Sequence, residues 1–275
     1  MTYKIKGFDP KLKAKIVDSA YRSASGISQS SLKKFIKSPA HYLASTEITQ
    51  EPTKAMTLGS AFHAFCLQNN NRDDNPYIAV KKKMDGRSKE GKLYNEQFSI
   101  ENEGKFIVDE DEFLMLDAMH SSICSHDTAG KYLRAVSSGD GMREFAMFAV
   151  ADTETPVTLK GLVDGYDPES GTIIDLKTCE DASPAGFRKA IWDRKYDLQS
   201  VHYAWLAKQN NLEVNQFVFI AVEKEPPFAV GCYVISQESI KKSISIWESA
   251  VTDISECMQS GKYPAYSSDV VEISL

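Results

Sequence analysis

Two aspartates and a lysine stand close together in the segment G-L-V-D-G-Y-D-P-E-S-G-T-I-I-D-L-K-T, as Asp164, Asp175 and Lys177. Two carboxylates beside an ammonium could hold a hard divalent cation, because Mg²⁺ prefers one or two carboxylates together with waters and phosphate oxygens. A D-x-K pair alone also matches many solvated hairpins. The spacing therefore indicates a metal site only if the fold brings the three side chains together.

A β-hairpin would do so. The segment reads as two strands joined by a four-residue loop at 168–171, since Pro and Gly are typical turn residues. This loop predicts a pair between Asp167 and Thr172. The same register sets Asp164 directly opposite Asp175, and like charges directly opposite are destabilising unless something compensates them.

Alternation along the second strand decides which side chains share a face. It places Asp175 and Lys177 on one face and points Leu176 the other way, into the core. Two carboxylates and an ammonium would thus converge on one spot.

The elements that must position this hairpin follow from periodicity. Helices are predicted over much of 1–75 and over 88–102, 110–137, 183–192, 196–209 and about 237–259. Strands are predicted at 77–80, 142–150, 157–166, 172–178, 216–222 and 228–235. This order favours an α/β (α+β) fold with one mixed central sheet flanked by helices. We expect a single domain over 1–275, with a helical N-terminal part at 1–75 and the core sheet at 140–236.

Composition excludes several classes of protein. The longest strongly apolar run, 217–222, is far too short to span a bilayer, and no secretory signal is visible. Five scattered cysteines without a C-x-x-C argue against a disulfide framework, a zinc site or an iron–sulfur cluster. We therefore expect a cytoplasmic protein with reduced thiols and no membrane partner.

Charge is unevenly distributed along the chain. The net charge is −6, but residues 1–37 hold nine basic residues against two acidic ones, a net of +7. Residues 81–92, read as an exposed loop, hold six basic residues against two acidic ones, a net of +4. Such segments could contact phosphates or could be ordinary solvated surface.

Five segments, in this order along the chain, carry a resemblance to a known family. They are I-S-Q-S-S-L-K-K-F-I-K-S-P-A-H-Y, G-S-A-F-H, K-M-D-G-R-S-K-E-G-K, the paired G-L-V-D and D-L-K-T, and Q-S-V-H-Y. Together they resemble the PD-(D/E)XK nucleases of the RecB-like exonuclease branch, most closely the RecE-type (exonuclease VIII) nuclease domains. The resemblance implies a restriction-endonuclease-like core. This chain departs from the pattern with Val163 in place of Pro and Asp175 in place of Glu.

The resemblance implies a catalytic role for the hairpin. Asp164 and Asp175, with the backbone carbonyl of Leu176, would bind Mg²⁺, which polarises the scissile phosphate and makes a bound water more acidic. Lys177 would position that water; the alternative is a surface counter-ion to Asp175.

Two further metal contacts are implied. His63 would bind the metal or support a ligand, which would also explain acceptance of Mn²⁺; the alternative is a buried structural histidine. Glu144, expected on the strand beside Asp164, would bind a second metal or its water shell, or would be a strand-edge carboxylate paired with a basic residue.

Other residues would contact the DNA. Gln199 and Tyr203 lie at i and i+4 on one helical face and could hold the DNA backbone or orient Lys177. Tyr203 could instead pack in the core with Leu206 and Trp192. Arg87, Lys89 and Lys92 could bind phosphates, including a 5′-terminal phosphate, or belong to a solvated loop.

The activity implied is Mg²⁺-dependent exonuclease digestion of linear double-stranded DNA, in the 5′→3′ direction, for phage or prophage recombination. The partners implied are DNA ends, a RecT-like single-strand annealing protein and further copies of the chain in a homo-oligomer, in a bacterial or phage-infected cell. Two alternatives stay open. One is a structure- or end-specific endonuclease of the same superfamily, and the other is a non-catalytic DNA-binding domain on the same fold. Some relatives hold an iron–sulfur cluster, but Ser38 stands where one of its cysteines would be, so none is expected here.

Overall fold

The computed structural model describes residues 21, 23–48, 52–68, 70, 75–267 and 269–273. The helices are α1 (Gln29–Lys37), α2 (Pro39–Glu47), α3 (Lys54–Leu67), α4 (Lys89–Glu101), α5 (Glu110–Ser125), α6 (Asp127–Ser137), α7 (Pro184–Arg194), α8 (Tyr196–Gln209) and α9 (Gln237–Ser260). The strands are β1 (Ile78–Lys81), β2 (Phe106–Asp109), β3 (Met142–Ala151), β4 (Val157–Asp167), β5 (Thr172–Cys179), β6 (Gln216–Glu223) and β7 (Val230–Tyr233). The part of the predicted N-terminal helical region at 1–20 lies outside the described residues.

A five-stranded mixed sheet in the order β3-β4-β5-β6-β7 forms the centre of the fold. β3, β4 and β5 form an antiparallel meander, β6 runs parallel to β5, and β7 returns antiparallel to β6. Helices α7 and α8 make the crossover that a parallel β5–β6 pair requires. The predicted α/β architecture with a mixed central sheet is confirmed, and β1 and β2 pair in a separate two-stranded parallel sheet. None of the helices in the described part of the chain combines the length and apolarity needed to cross a bilayer.

Side-chain alternation on the central strands builds a core on each face of the sheet. On β5, Ile173 packs with α1, α8 and α9, whereas Ile174 and Leu176 pack with α3, α5 and α6. The predicted inward direction of Leu176 is thus confirmed, and its side chain is fully buried. Odd-numbered positions of β5 face the α1, α8 and α9 side, and this parity brings Asp175 toward α8.

Polar side chains set where several helices begin. Ser28 and Ser38 cap α1 and α2 by accepting from backbone N–H groups three residues on, and Pro39 occupies the first turn of α2. Asp109 starts α5 with a capping box.

The basic segment 81–92 divides at Ser88, where the predicted helix over 88–102 begins. Ser88 Oγ accepts from the Gly91 N–H at 2.9 Å and starts α4, so Lys89 and Lys92 lie on a helix. Gly91 is buried against the Asp85 carbonyl, where an added Cβ would clash with backbone. The predicted helix over 88–102 is confirmed as α4, and the irregular part of the basic segment is limited to 82–88.

His202 is a buried polar side chain that joins the sheet to the helices packed over it. Its Nε2–H donates to the Lys160 carbonyl oxygen at 3.0 Å, and its Nδ1 accepts from Trp247 Nε1–H at 3.1 Å. Only the neutral ring satisfies both contacts, because a protonated ring has no acceptor left for the indole. Burial accordingly lowers the pKa of His202 to about 4.

Acid is expected to destabilise the protein through His202. Between pH 6.5, the ordinary pKa of histidine, and about pH 4, the pKa of His202 in the folded protein, this side chain binds a proton in the unfolded chain but not in the folded protein. The free energy of unfolding therefore falls as the pH drops through this window, by about 3 kcal/mol in total, and does not change on this account above it. Urea unfolding at several pH values measures the effect. The stability difference between wild type and His202→Asn should narrow on acidification; a constant difference would contradict the assignment.

Candidate active site

Asp164 is held by two donors from different elements. Its Oδ1 lies 3.1 Å from Nδ1 of His63 on α3, and its Oδ2 accepts from the Leu176 backbone N–H at 2.7 Å. The carboxylate on β4 therefore ties a helix of one layer to the neighbouring strand β5.

Asp175 is the most deeply buried acid of the site, with 2% of its surface exposed. Its Oδ1 accepts from Gln199 Nε2 at 2.6 Å, and its Oδ2 contacts the ammonium of Lys177 two residues along the same strand. Burial raises the pKa of Asp175 to about 6, Lys177 opposes the rise, and the nearby charge of Asp164 adds to it.

The hairpin brings these residues together in the predicted register. Asp167 pairs with Thr172 across a loop at 168–171, in which Gly171 has a φ of +64°. The backbone ladder ends at Gly165, one pair before the two acids would face each other. The strands separate there, and the side chain of Asp164 takes over the Leu176 N–H that a further backbone pair would have used.

The charged side chains of the site shift one another's pKa values. Burial alone would raise the pKa of Asp164, but His63, Lys177 and the Leu176 N–H together outweigh it and leave that pKa below its ordinary value. The pKa of His63 is raised in return, against the opposing effect of burial. Burial lowers the pKa of Lys177 less than the two aspartates raise it. The site thus keeps the Lys177 ammonium in contact with the buried Asp175 and close to the partly buried Asp164.

Gln199 and Tyr203 share one face of α8, as predicted, and that face is turned toward β5 rather than to solvent. Gln199 orients Asp175, and a hydrogen bond with Gln199 opposes the large rise that burial causes in the pKa of Tyr203. The Tyr203 ring approaches Gly161 so closely that an added Cβ would lie 2.9 Å from it. This contact explains the glycine of G-L-V-D.

The core alternative is confirmed for Tyr203 and Leu206, which belong to one buried cluster, and is wrong for Trp192. Trp192 is 74% exposed, whereas Tyr203 and Leu206 are buried. Helix α7 ends at Arg194, and Lys195 turns the chain with a left-handed φ of +54°. Trp192 and Tyr203 thus lie on two separate helices, as predicted, and only Tyr203 is turned into the core.

Glu144 lies on the strand next to Asp164, as predicted. The antiparallel pairs on either side of Glu144 place it directly opposite Asp164, yet this one pair is missing from the ladder. Its φ is +43°, a left-handed conformation that costs a residue other than glycine about 1–3 kcal/mol. Such strain persists only where surrounding contacts enforce it, so the kink beside Asp164 is consistent with a functional position.

The three basic residues Arg87, Lys89 and Lys92 are exposed at the start of α4. No contact among the described residues joins them to Asp164 or Asp175. Their role in DNA binding stays a prediction.

Two residues of the site were missed. Lys33 on α1 lies with its Nζ 5.5 Å from the centre of the Tyr196 ring, and Lys177 Nζ lies 4.8 Å from the same ring. Burial lowers the pKa of Lys33 to about 8, and the charge of Lys177 adds to the effect. Tyr196 shares a face with Gln199 at i+3, a spacing that could have identified it. Nothing in the sequence distinguishes Lys33 from its neighbour Lys34 until α1 is packed against α8.

The donor set fits a hard divalent cation. Asp164 and Asp175 are carboxylates, and Asp175 Oδ2 is buried and receives no hydrogen bond of ordinary geometry despite its contact with Lys177. Within the described ranges, no three His, Cys, Asp or Glu side chains converge to hold a metal by themselves. Mg²⁺ needs no such cage, because it keeps several waters and takes one or two carboxylates.

Comparisons with known proteins agree with this geometry. A family profile described as "PDDEXK-like domain of unknown function (DUF3799)" matches residues 28–273. The structure is similar to that of a candidate exonuclease from Eubacterium rectale, with a TM-score of 0.59 and 14% identity over 100% of this chain and 96% of that chain. A phage-related exonuclease from Haemophilus somnus shares 16% identity over 86% of this chain and 97% of that chain, but its TM-score of 0.34 is too low to add weight. No curated protein matches the chain.

Proposed function

The chain belongs to the PDDEXK-like family, and on that premise we propose that it is a Mg²⁺-dependent DNA exonuclease formed by one domain. The observation that supports this most strongly is the convergence of Asp164, Asp175 and Lys177 at the point where β4 and β5 separate. Gln199 holds one of the acids from the opposite side. A buried carboxylate with a second acid and a lysine beside it is costly to maintain, and such groups cluster at functional sites.

Each residue of the chain has a distinct task in this proposal. Asp164 and Asp175, assisted by the Leu176 carbonyl, hold the cation, while His63 and Gln199 orient one carboxylate each. The chemistry that a divalent cation supplies when bound there is polarisation of the scissile phosphate and a lowered pKa of nearby water.

The lysines act on the attacking water and the phosphate. Lys177 donates hydrogen bonds to the water and favours its hydroxide form by its charge, because its own pKa is raised and the ammonium is retained. Lys33, which also contacts the Tyr196 ring, adds a second positive charge for the phosphate oxygens. Glu144, opposite Asp164, would stabilise a second cation or its waters.

The finer assignments rest on the family resemblance. We propose 5′→3′ digestion from linear double-stranded ends, acceptance of Mn²⁺, and a role in phage or prophage recombination in the bacterial cytoplasm. A RecT-like annealing protein would receive the 3′ single strand, and the chain would act as a homo-oligomer. Arg87, Lys89 and Lys92 would contact phosphates, and Tyr203 would act through Gln199.

The decisive experiment compares linear duplex DNA with the same DNA as a covalently closed circle, each with Mg²⁺ or Mn²⁺. We expect the linear form to be degraded and the circle to be spared, with mononucleotides released first from a 5′-labelled end. No product should form in EDTA.

The alternatives give different results in the same assay. Cutting of the closed circle would identify an endonuclease and contradict the exonuclease. Binding of linear DNA without hydrolysis under any metal would favour the non-catalytic domain. Release of a 3′ label first would overturn the direction while leaving the exonuclease in place.

A further inference from the structure

An exposed tryptophan stands close to the candidate active site. Trp192 lies on α7 with 74% of its surface exposed, in contrast to Trp247, which is 4% exposed. The ammonium of Lys195 lies 4.3 Å from the centre of the Trp192 ring. Arg188 precedes Trp192 by four residues and so lies on the same helical face. A single exposed indole needs no explanation, but an indole flanked by cations does.

The charge around Trp192 is positive, although the chain as a whole is acidic. From 188 to 195 the basic residues are Arg188, Lys189, Arg194 and Lys195, and the one acid is Asp193. Asp193 pairs with Lys189 at 2.5 Å. The remaining positive charge therefore lies on Arg188, Arg194 and Lys195, for which no ion pair is found within the described ranges.

This surface continues into the candidate active site. The positive charge of Arg194 lowers the pKa of Lys33, after larger effects from burial and Lys177, so these groups lie within electrostatic reach of one another. The ammonium groups of Lys33 and Lys177 both contact the Tyr196 ring. Tyr196 follows Trp192 by four residues. The two Cα atoms are thus at most about 15 Å apart, the length of about four stacked nucleotides.

We propose that Trp192, Arg188, Arg194 and Lys195 form a binding surface for single-stranded DNA, which leads to the catalytic residues. An unpaired base would stack on the indole, and its phosphates would contact the surrounding cations, the combination by which proteins hold single strands. Paired bases in a duplex have no free face to offer. The ligand class is therefore an unpaired strand, such as the one separated from its complement at a DNA end. This inference rests on the proposed nuclease function.

Tryptophan fluorescence tests the surface directly, because only three tryptophans are present and Trp192 is the most exposed of them. The protein is titrated with a short oligothymidylate in EDTA, while anisotropy of a labelled oligothymidylate reports its binding. We expect quenching of the wild-type emission on binding. An abasic oligonucleotide of equal length should bind through its phosphates and quench little.

Variants separate stacking from charge. Trp192→Ala should weaken oligothymidylate binding roughly tenfold, and Trp192→Phe should lose the quenching but keep most of the affinity. Trp205→Phe, the fluorescence control, should keep the quenching. Arg188→Ala should lower the slope of log affinity against log salt by about 0.7. Lys189→Ala, which removes a lysine already paired with Asp193, should change that slope less.

The outcome does not depend on hydrolysis. If wild-type emission is unchanged while oligothymidylate is bound, or if Trp192→Ala binds as tightly as wild type, the surface is wrong even when DNA is degraded. If Trp192 is quenched but no metal supports hydrolysis, the surface stands and the proposed nuclease function fails.

Discussion

Replacing Lys177 by alanine is expected to lower the rate of DNA hydrolysis about a thousandfold, within the range typical of a positioned proton-transfer group. The ammonium is the positive charge of the chain nearest to Asp175, and its removal leaves the attacking water without that donor. Lys177→Arg should be nearly as inactive, because the larger, planar guanidinium cannot occupy the same position beside Asp175. Initial rates on a labelled linear duplex with Mg²⁺ measure both variants.

Folding must be separated from catalysis in this experiment. Lys177→Ala leaves Asp175 buried without the lysine ammonium that pairs with it. Circular dichroism and thermal unfolding should therefore be measured together with the rates. Lys177→Arg keeps the charge and serves as the folded comparison. Lys241→Ala removes an exposed lysine of α9 and should cleave DNA at the wild-type rate. Wild-type activity in a clean preparation of Lys177→Ala would refute the assignment.

Replacing Asp164 by asparagine is expected to abolish both hydrolysis and metal-dependent stabilisation. The amide has nearly the same shape, and its oxygen can still accept from the Leu176 N–H. The fold should therefore persist, while one of the two negative charges that attract the cation is lost. Wild-type protein at a metal concentration one hundred times the Kd should gain about 2.7 kcal/mol of stability.

Thermal unfolding with and without Mn²⁺ measures this gain without any substrate. Asp164→Asn should show almost none of it. Asp152→Asn, in the exposed turn between β3 and β4, should gain as much as wild type. If Asp164→Asn responds to Mn²⁺ like wild type, the cation binds elsewhere and the proposed centre is incorrect.

Local patterns were sufficient to predict the hairpin. Turn residues at 168–171 specify the loop length, and the loop length specifies the pairing of Asp167 with Thr172. Alternation then directs Leu176 into the core. The separation of the strands at Asp164 was not predictable, because it depends on His63 and on a side chain replacing a backbone hydrogen bond.

The helical patterns did not show which part of the fold each helical face would meet. Spacing placed Gln199 and Tyr203 on one face of α8, but it did not show that this face meets Asp175. The core alternative grouped Trp192 with Tyr203 as aromatic packing, although Trp192 lies on α7, before the left-handed turn at Lys195, and is solvent-exposed. A residue in the left-handed conformation leaves no reliable signal when it is a lysine.

The amino-acid sequence by itself determined the elements and the acid–lysine hairpin of this protein, because turn chemistry, alternation and helix capping act over a few neighbouring residues. Only the tertiary structure decided which distant groups complete the site. His63, Gln199 and Lys33 come from three helices, and their approach to β4 and β5 depends on the packing of whole faces. Burial and the closeness of charged groups then set the protonation of each group, and neither exists until the chain has folded.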